Sequence, residues 1–298
     1  MNSGISKGIF LVAVGAACYG VLATLVKVGG LEGFSTAELT FSQSFVGLLA
    51  LCILNGISNR INKDKERKRP EKRDKMWLAI GGIPLGLTST FYYLSVTYVS
   101  VSVCIVLLMQ SVWMGAVLDL IVNRTKPSAT KIFAILIVLT GTILATNLLN
   151  SDISLDPRGI IFGLLAAVSY TLTMFASNKI AVQYPAITRS LYFMVGAFCT
   201  VALIWGYSLF HQFDINVLWR WGLTLAFFGT VLPPVLFAKG MPIIGIGLGS
   251  ILASLELPVS VMMAGFVLGE EVNFVQWIGI IAILLAVVIM NYSVIKSR

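Results

Sequence analysis

Ten stretches of continuous apolar sequence, each about twenty residues long, divide the chain: 8–28, 36–57, 76–97, 101–123, 130–148, 159–180, 186–208, 217–238, 244–268 and 274–293. About twenty residues of α-helix cross one hydrocarbon core, and a helix satisfies its own backbone hydrogen bonds where no water can do so. A membrane β-barrel would instead show segments of about ten residues with strict alternation. The pattern predicts an all-α integral membrane protein of ten transmembrane helices. Most connections are very short, so helices adjacent in sequence run antiparallel.

Composition agrees with this reading. The chain of 298 residues is 57% hydrophobic and 11% charged, where a soluble domain carries roughly 25% charged residues. The first apolar run is too long for a signal-peptide core and reads as a retained span. The net charge of +8 is concentrated in Ser58–Lys75, a loop with nine basic residues. If that loop is cytoplasmic and every span crosses once, eighteen Lys and Arg fall inside and Lys27, Arg158 and Arg220 fall outside. That bias follows the positive-inside rule and puts both termini in the cytoplasm. The charge therefore reads as a topology signal, and no nucleic-acid partner is expected. Trp77, Trp205, Trp219, Trp221 and Trp277 sit at span ends, where amphipathic rings prefer the interface. Trp113 lies near the middle of the fourth span.

The chain contains two copies of one pattern. Lys7 onward reads KGIFLVAVGAACYG and Arg158 onward reads RGIIFGLLAAVSYT, which pairs Tyr19 with Tyr170. Further on, a separation of 146 residues pairs Cys104–Gln110 with Ser250–Glu256. Each copy holds five spans, an odd number, so the second must enter the membrane from the opposite side. The expected domains are two inverted five-helix repeats, 1–149 and 150–298. Inverted repeats are typical of secondary transporters, whose sites lie at the midplane between the repeats. Pro84 in the third span, Pro233 and Pro234 in the eighth, and Pro258 in the ninth are candidate hinge or gate positions, because proline removes a helical donor and bends the rod. Simple kinking for packing is the alternative.

Chemistry-bearing residues are few. The four cysteines, Cys18, Cys52, Cys104 and Cys199, are scattered through apolar runs, and His211 is the single histidine. That set implies no metal site. Nucleotide-binding motifs and nucleophile–base signatures are absent from the sequence, so no cofactor and no enzymatic activity are expected. Glu256 is the one acid near the centre of a span, where insertion of a carboxylate costs about 2.5 kcal/mol or more. It is either a proton or substrate-amine site or a hydrogen-bonded tie between helices. Gln110 and Trp113 share a helical face. With Tyr19, Tyr92 and Tyr170 they are expected to border one chamber for a small-molecule substrate; each taken alone is also compatible with interhelical packing.

The stretch Ser254–Asn291 resembles the closing signature of the EamA branch of the drug/metabolite transporter superfamily. The matching residues are Leu255, Glu256 and Pro258, then Leu268, Gly269 and Glu270, then Gly279. The resemblance implies ten helices in two inverted halves in a bacterial cytoplasmic membrane. It also implies export or exchange of amino acids and related metabolites, as in YddG-like exporters. Gln43 stands near a second-span position where many relatives carry arginine, and it joins the candidate substrate-binding residues.

Overall fold

The computed structural model describes residues 3–61, 70–99, 101–124, 127–145, 156–269 and 272–296. The expected repeat boundary at 149/150, residues 62–69 of the basic loop and Glu270 lie outside these residues. Among the described residues there is no strand. The helices are α1 (Ser3–Leu31), α2 (Thr36–Ile61), α3 (Lys72–Tyr98), α4 (Val101–Leu108), α5 (Ser111–Asn123), α6 (Ala129–Ala145), α7 (Pro157–Lys179) and α8 (Ala186–His211). A rod built of π-helix Leu218–Gly222, α9 (Leu223–Leu225), π-helix Ala226–Val231 and α10 (Leu232–Ile244) follows. The chain continues through α11 (Ile246–Ala253), α12 (Glu256–Leu268) and α13 (Phe274–Lys296).

Local sequence explains the boundaries. Before α2, the Glu38 carboxylate accepts from the Ser35 backbone N–H at 2.8 Å while the Ser35 hydroxyl accepts from the Glu38 N–H at 3.3 Å, a reciprocal capping box. Asp156 caps α7 by accepting from the Arg158 N–H at 2.8 Å, and Pro157 opens the helix, a position where its missing N–H costs nothing. Gly269 ends α12 in the left-handed region at φ 68°, as a helix C-terminus favours.

Among the described residues, seven helices are long and apolar enough to cross a membrane by length and composition: those starting at Gly4, Thr36, Val103, Pro157, Ala186, Leu218 and Ile246. Ala129–Ala145 and Phe274–Ile289 are apolar but shorter. α3 is long but rich in Gly, Thr, Ser and Tyr, and it begins with the basic run Lys72–Lys75. Its reduced apolarity has a structural counterpart, because α3 packs mainly on α7 and α8 and faces the interior of the molecule.

Helix lengths recur along the chain. α2 and α8 each have 26 residues, α4 and α11 each have 8, and α5 and α12 each have 13. α3 has 27, as does the composite rod Leu218–Ile244. The breaks at Met109–Gln110 and Ser254–Leu255 coincide in this register, and Arg124 and Gly269, both left-handed, end α5 and α12. This pairs Ser111 with Glu256 and Gln110 with Leu255, one residue from the sequence register.

The main interfaces join early helices to late ones: α1 with α10 and α12, α2 and α3 with α8, α3 with α7, α6 with α13 and α5 with α11. At the α3–α8 crossing Gly82 lies against the Phe193 backbone and Gly196 against the Ala79 backbone. A methyl group at either position would overlap a carbonyl oxygen. Small residues permit such approach in membrane proteins, where packing rather than hydrophobicity joins helices.

Contacts sort the helix ends into two groups. At one end, the Asp214 N–H donates to Glu38 at 2.7 Å, Trp221 donates to Glu32 at 3.0 Å, and the Ser95 hydroxyl donates to the Gly159 carbonyl at 2.7 Å. At the other, Tyr184 donates to Asp74 at 2.5 Å, Lys179 to Asn123 at 2.8 Å, and Thr188 to Asn55 at 2.8 Å. These are called the Glu38 end and the Arg189 end.

Candidate functional site

The break between α11 and α12 places the one mid-span acid. Pro258 has no N–H, so the Ser254 carbonyl is met instead by the Leu257 N–H at 3.2 Å. Glu256 thereby becomes the first residue of α12, at a helix N-terminus whose unpaired amides favour negative charge. Gly20 of α1 lies directly against the Glu256 carbonyl, so α1 approaches the break as closely as two backbones allow. The Tyr170 hydroxyl donates to Glu256 Oε2 at 3.3 Å. The Tyr170 and Tyr19 rings meet edge to face with centroids 6.1 Å apart.

These groups line a cavity of about 640 Å³, measured with its mouth. Tyr92, Tyr93, Thr88 and Ser89 come from one face of α3, and Gln43 comes from α2. Gly229 and Thr230 come from the π-helical segment, and Leu22, Leu85 and Leu108 complete the wall. Gln43 is 3% exposed. Its backbone carbonyl accepts from the Thr230 hydroxyl at 3.1 Å, and its side-chain Oε1 has no hydrogen-bond partner. The lack of a side chain at Gly229 makes room for the Gln43 amide. Glu256 is the one charged residue in the lining, and no Lys, Arg or His belongs to it among the described residues.

The two ends of the molecule differ. At the Arg189 end, α10 packs on both α7 and α8. Asn178 donates to the Met241 carbonyl at 2.6 Å. Arg189, 1% exposed, donates to the carbonyls of Ser177 at 2.6 Å, Ile180 at 3.0 Å and Ala238. A buried guanidinium is tolerable because each of its nitrogens donates to a carbonyl, and two of these carbonyls, Ser177 and Ile180, lie at the negative end of α7. The pairs that correspond at the Glu38 end, α3 with α1 and α3 with α2, make no comparable interface. Leu22, Thr88 and Tyr92 of the cavity lie along that gap.

The sequence matches the EamA-like transporter family twice, over residues 6–147 and 157–292. The chain belongs to the EamA-like transporter family. It is therefore a multi-pass membrane protein of a family of transporters rather than of enzymes. No curated protein matches the sequence. A solved crystal structure superposes with a TM-score of 0.78 over 95% of this chain and 97% of that chain, at 13% identity; the likeness is one of fold.

In this EamA-like fold the sequence candidates divide. Tyr19, Tyr92, Tyr170, Gln43 and Glu256 line the cavity together. Trp113 and Gln110 do not, which corrects the expectation of a single chamber holding all of them. Trp113 is 39% exposed and sits in an outward groove with Pro127, Ile132 and Leu136. Its indole N–H donates to Gln110 Oε1 at 2.9 Å, and the Gln110 amide donates to the Val106 carbonyl at 3.0 Å. The pair satisfies itself, so neither residue needs an interior partner. Thr88, Ser89, Tyr93 and Thr230, which are not among the sequence candidates, line the cavity as well. The signal for the α3 residues is the spacing of four between Thr88 and Tyr92 and between Ser89 and Tyr93, which stacks polar groups on one helical face.

Pro84 lies within an unbroken α3, where its carbonyl accepts from the Thr88 hydroxyl at 2.8 Å. Pro233 and Pro234 stand at the start of α10, directly after the π-helical residues of the cavity wall. Pro258 is in the first turn of α12. Among the described residues no group of three or more His, Cys, Asp or Glu is placed to hold a metal.

Proposed function

We propose that this protein is a secondary transporter that moves a small polar metabolite, an amino acid or related compound, across a bacterial cytoplasmic membrane by alternating access. In this reading the ten helical rods all span the bilayer as two inverted five-helix repeats, 1–149 and 150–298. The eighteen-to-three distribution of basic residues puts the Arg189 end, both termini and the 58–75 loop in the cytoplasm. The structure is then the outward-facing state. Tyr19, Tyr92, Tyr170, Gln43 and Glu256 bind the substrate, and Pro84, Pro233, Pro234 and Pro258 absorb the bending when the ends exchange.

The observation that carries this reading is the inequality of the two ends. Helices of matched length form interfaces that map onto one another when the halves are exchanged. Among the contacts that do not map are those of α10 with α7 and α8, which α3 does not make with α1 and α2, and those of α5 with α11, which α12 does not make with α4. A pseudo-symmetric molecule closed at one end alone has an obvious second state, with the closure transferred to the other end. Two such states around a central cavity are what alternating access requires.

Counterflow in proteoliposomes tests the proposal. Vesicles preloaded with an unlabelled solute should transiently accumulate the labelled form from outside. A pore would only equilibrate the label, and an enzyme would alter it chemically. Either of those results sinks the carrier reading. A panel of amino acids and amines in the same assay identifies the substrate.

A further inference from the structure

We propose that the central cavity selects its ligand by a cationic amine head and has no place for a carboxylate, so that small organic ammonium ions bind better than the corresponding amino acids. This rests on the reading of the cavity as the substrate site and narrows the substrate class within it.

Charge is the first argument. Glu256 is the one charged residue in the lining, and no Lys, Arg or His accompanies it among the described residues. The buried cation Arg189 already donates to three carbonyls at the closed end. An anionic group entering the cavity would leave its hydration shell and find no counterion, only a second carboxyl. An ammonium group would find an acid at a helix N-terminus whose described partner is one long hydrogen bond from Tyr170, 3.3 Å. Its remaining acceptor capacity is available to a ligand.

Hydrogen-bond polarity is the second argument. Gln43 is buried and its Oε1 has no partner. The amide belongs to the same cavity as Glu256. Among the lining side chains the one fully buried polar atom without a partner is this acceptor, so the complementary ligand brings a donor, and an ammonium carries up to three. A buried acceptor left unpaired is costly, and a ligand that pairs it gains that difference on binding.

The remaining wall fits the rest of such a molecule. Tyr19, Tyr92 and Tyr170 surround the acid, and tyrosine rings attract cations more strongly when water is excluded. Leu22, Leu85 and Leu108 supply an apolar surface for a hydrocarbon or aryl body.

The test uses purified full-length protein in lipid nanodiscs and three probes of matched body: 2-phenylethylamine, phenylalanine and 3-phenylpropionate. Binding is read by calorimetry and by thermal stabilisation. The amine should bind roughly tenfold or more tightly than phenylalanine, and phenylpropionate should show no saturable binding. Glu256→Gln should weaken the amine by a similar factor while the protein remains monodisperse. If that variant does not fold, Gln43→Leu, which removes the unpaired acceptor with its amide and leaves Glu256 in place, should weaken the amine severalfold and leave the preference over phenylpropionate intact. Tighter binding of phenylalanine or phenylpropionate than of the amine overturns the proposal. So does amine binding unchanged by the available variant, or an absence of binding by 2-phenylethylamine, its trimethylammonium derivative and butylamine alike. Counterflow of labelled 2-phenylethylamine separates the two levels. Binding without exchange contradicts the transporter reading and leaves the recognition chemistry standing; exchange of amino acids without amine binding does the reverse.

Discussion

Asn178 is the most direct handle on the closed end. Its side chain is 8% exposed and donates to the Met241 carbonyl at 2.6 Å, tying α7 to α10. Replacing it with alanine removes this bond. The Met241 carbonyl is not orphaned, because it also accepts from the Gly245 N–H at 2.8 Å. The loss is therefore the net value of one hydrogen bond, about 0.5–1.5 kcal/mol, and not the larger penalty of an unpaired buried acceptor. If the bond exists only when the Arg189 end is closed, Asn178→Ala raises the population open at that end roughly two- to tenfold. Met174 reports this. It is fully buried, one helical turn from Tyr170 toward Asn178, on the path from cavity to closed end. In a background lacking the four native cysteines, Met174→Cys should react with an impermeant maleimide applied to inside-out vesicles at a rate proportional to the open fraction. Asn178→Ala should increase that rate by the same two- to tenfold. An unchanged rate, in a protein whose thermal stability has fallen, would mean that the bond persists in both states and that closure does not depend on it.

Arg189→Met should be far more damaging, because three buried carbonyls lose a charged donor and each such acceptor costs about 1–3 kcal/mol; Arg189→Lys should recover only part of the melting temperature, since one ammonium lacks the guanidinium's fork. Gly82→Val should abolish monodisperse protein on size exclusion, because the added side chain overlaps the Phe193 backbone, whereas Gly206→Ala, at a glycine with open space around it, should leave elution unchanged. A single cysteine placed in the 58–75 loop should resist an impermeant thiol reagent in intact cells and react in inside-out vesicles; labelling of intact cells would reverse the orientation.

Much of this architecture is legible in the order of residues. Apolar runs locate the helices to within a few residues because lipid demands continuous apolarity from any rod it surrounds. α3 shows the limit of that rule: its glycines, hydroxyls and tyrosines face other helices, so its composition reports the interior rather than the bilayer. Tyr19, Tyr170 and Glu256 stand out because polar groups at span centres need a reason to be there. Trp113 departs from expectation for a matching reason. Its depth in the span can be read from the sequence, but the break at Met109–Gln110 resets the helix rotation beyond it, and nothing local announces which way α5 then faces. The same break hides the repeat register, since a slip of one residue between apolar neighbours leaves the hydrophobic pattern unchanged. Gln43's lack of a partner depends on Gly229 and Thr230, nearly two hundred residues away, and only the folded chain brings them together.

The crossing of interfaces between early and late helices bears on how the protein is made. α1, α2, α3 and α6 find their main neighbours in α7 to α13 and touch one another sparingly. A ribosome halfway through the message has therefore delivered helices whose packing partners do not yet exist. Gly8, Gly15 and Gly82 wait as uncovered notches for Ile244, Phe237 and Phe193. Assembly must be largely post-insertional, and the nascent first half depends on lipid or on a membrane chaperone to keep its glycine faces from pairing wrongly. A stop codon after the first repeat would yield not a stable half-protein but a substrate for membrane proteases, unless the second repeat were supplied from a separate message in the same membrane.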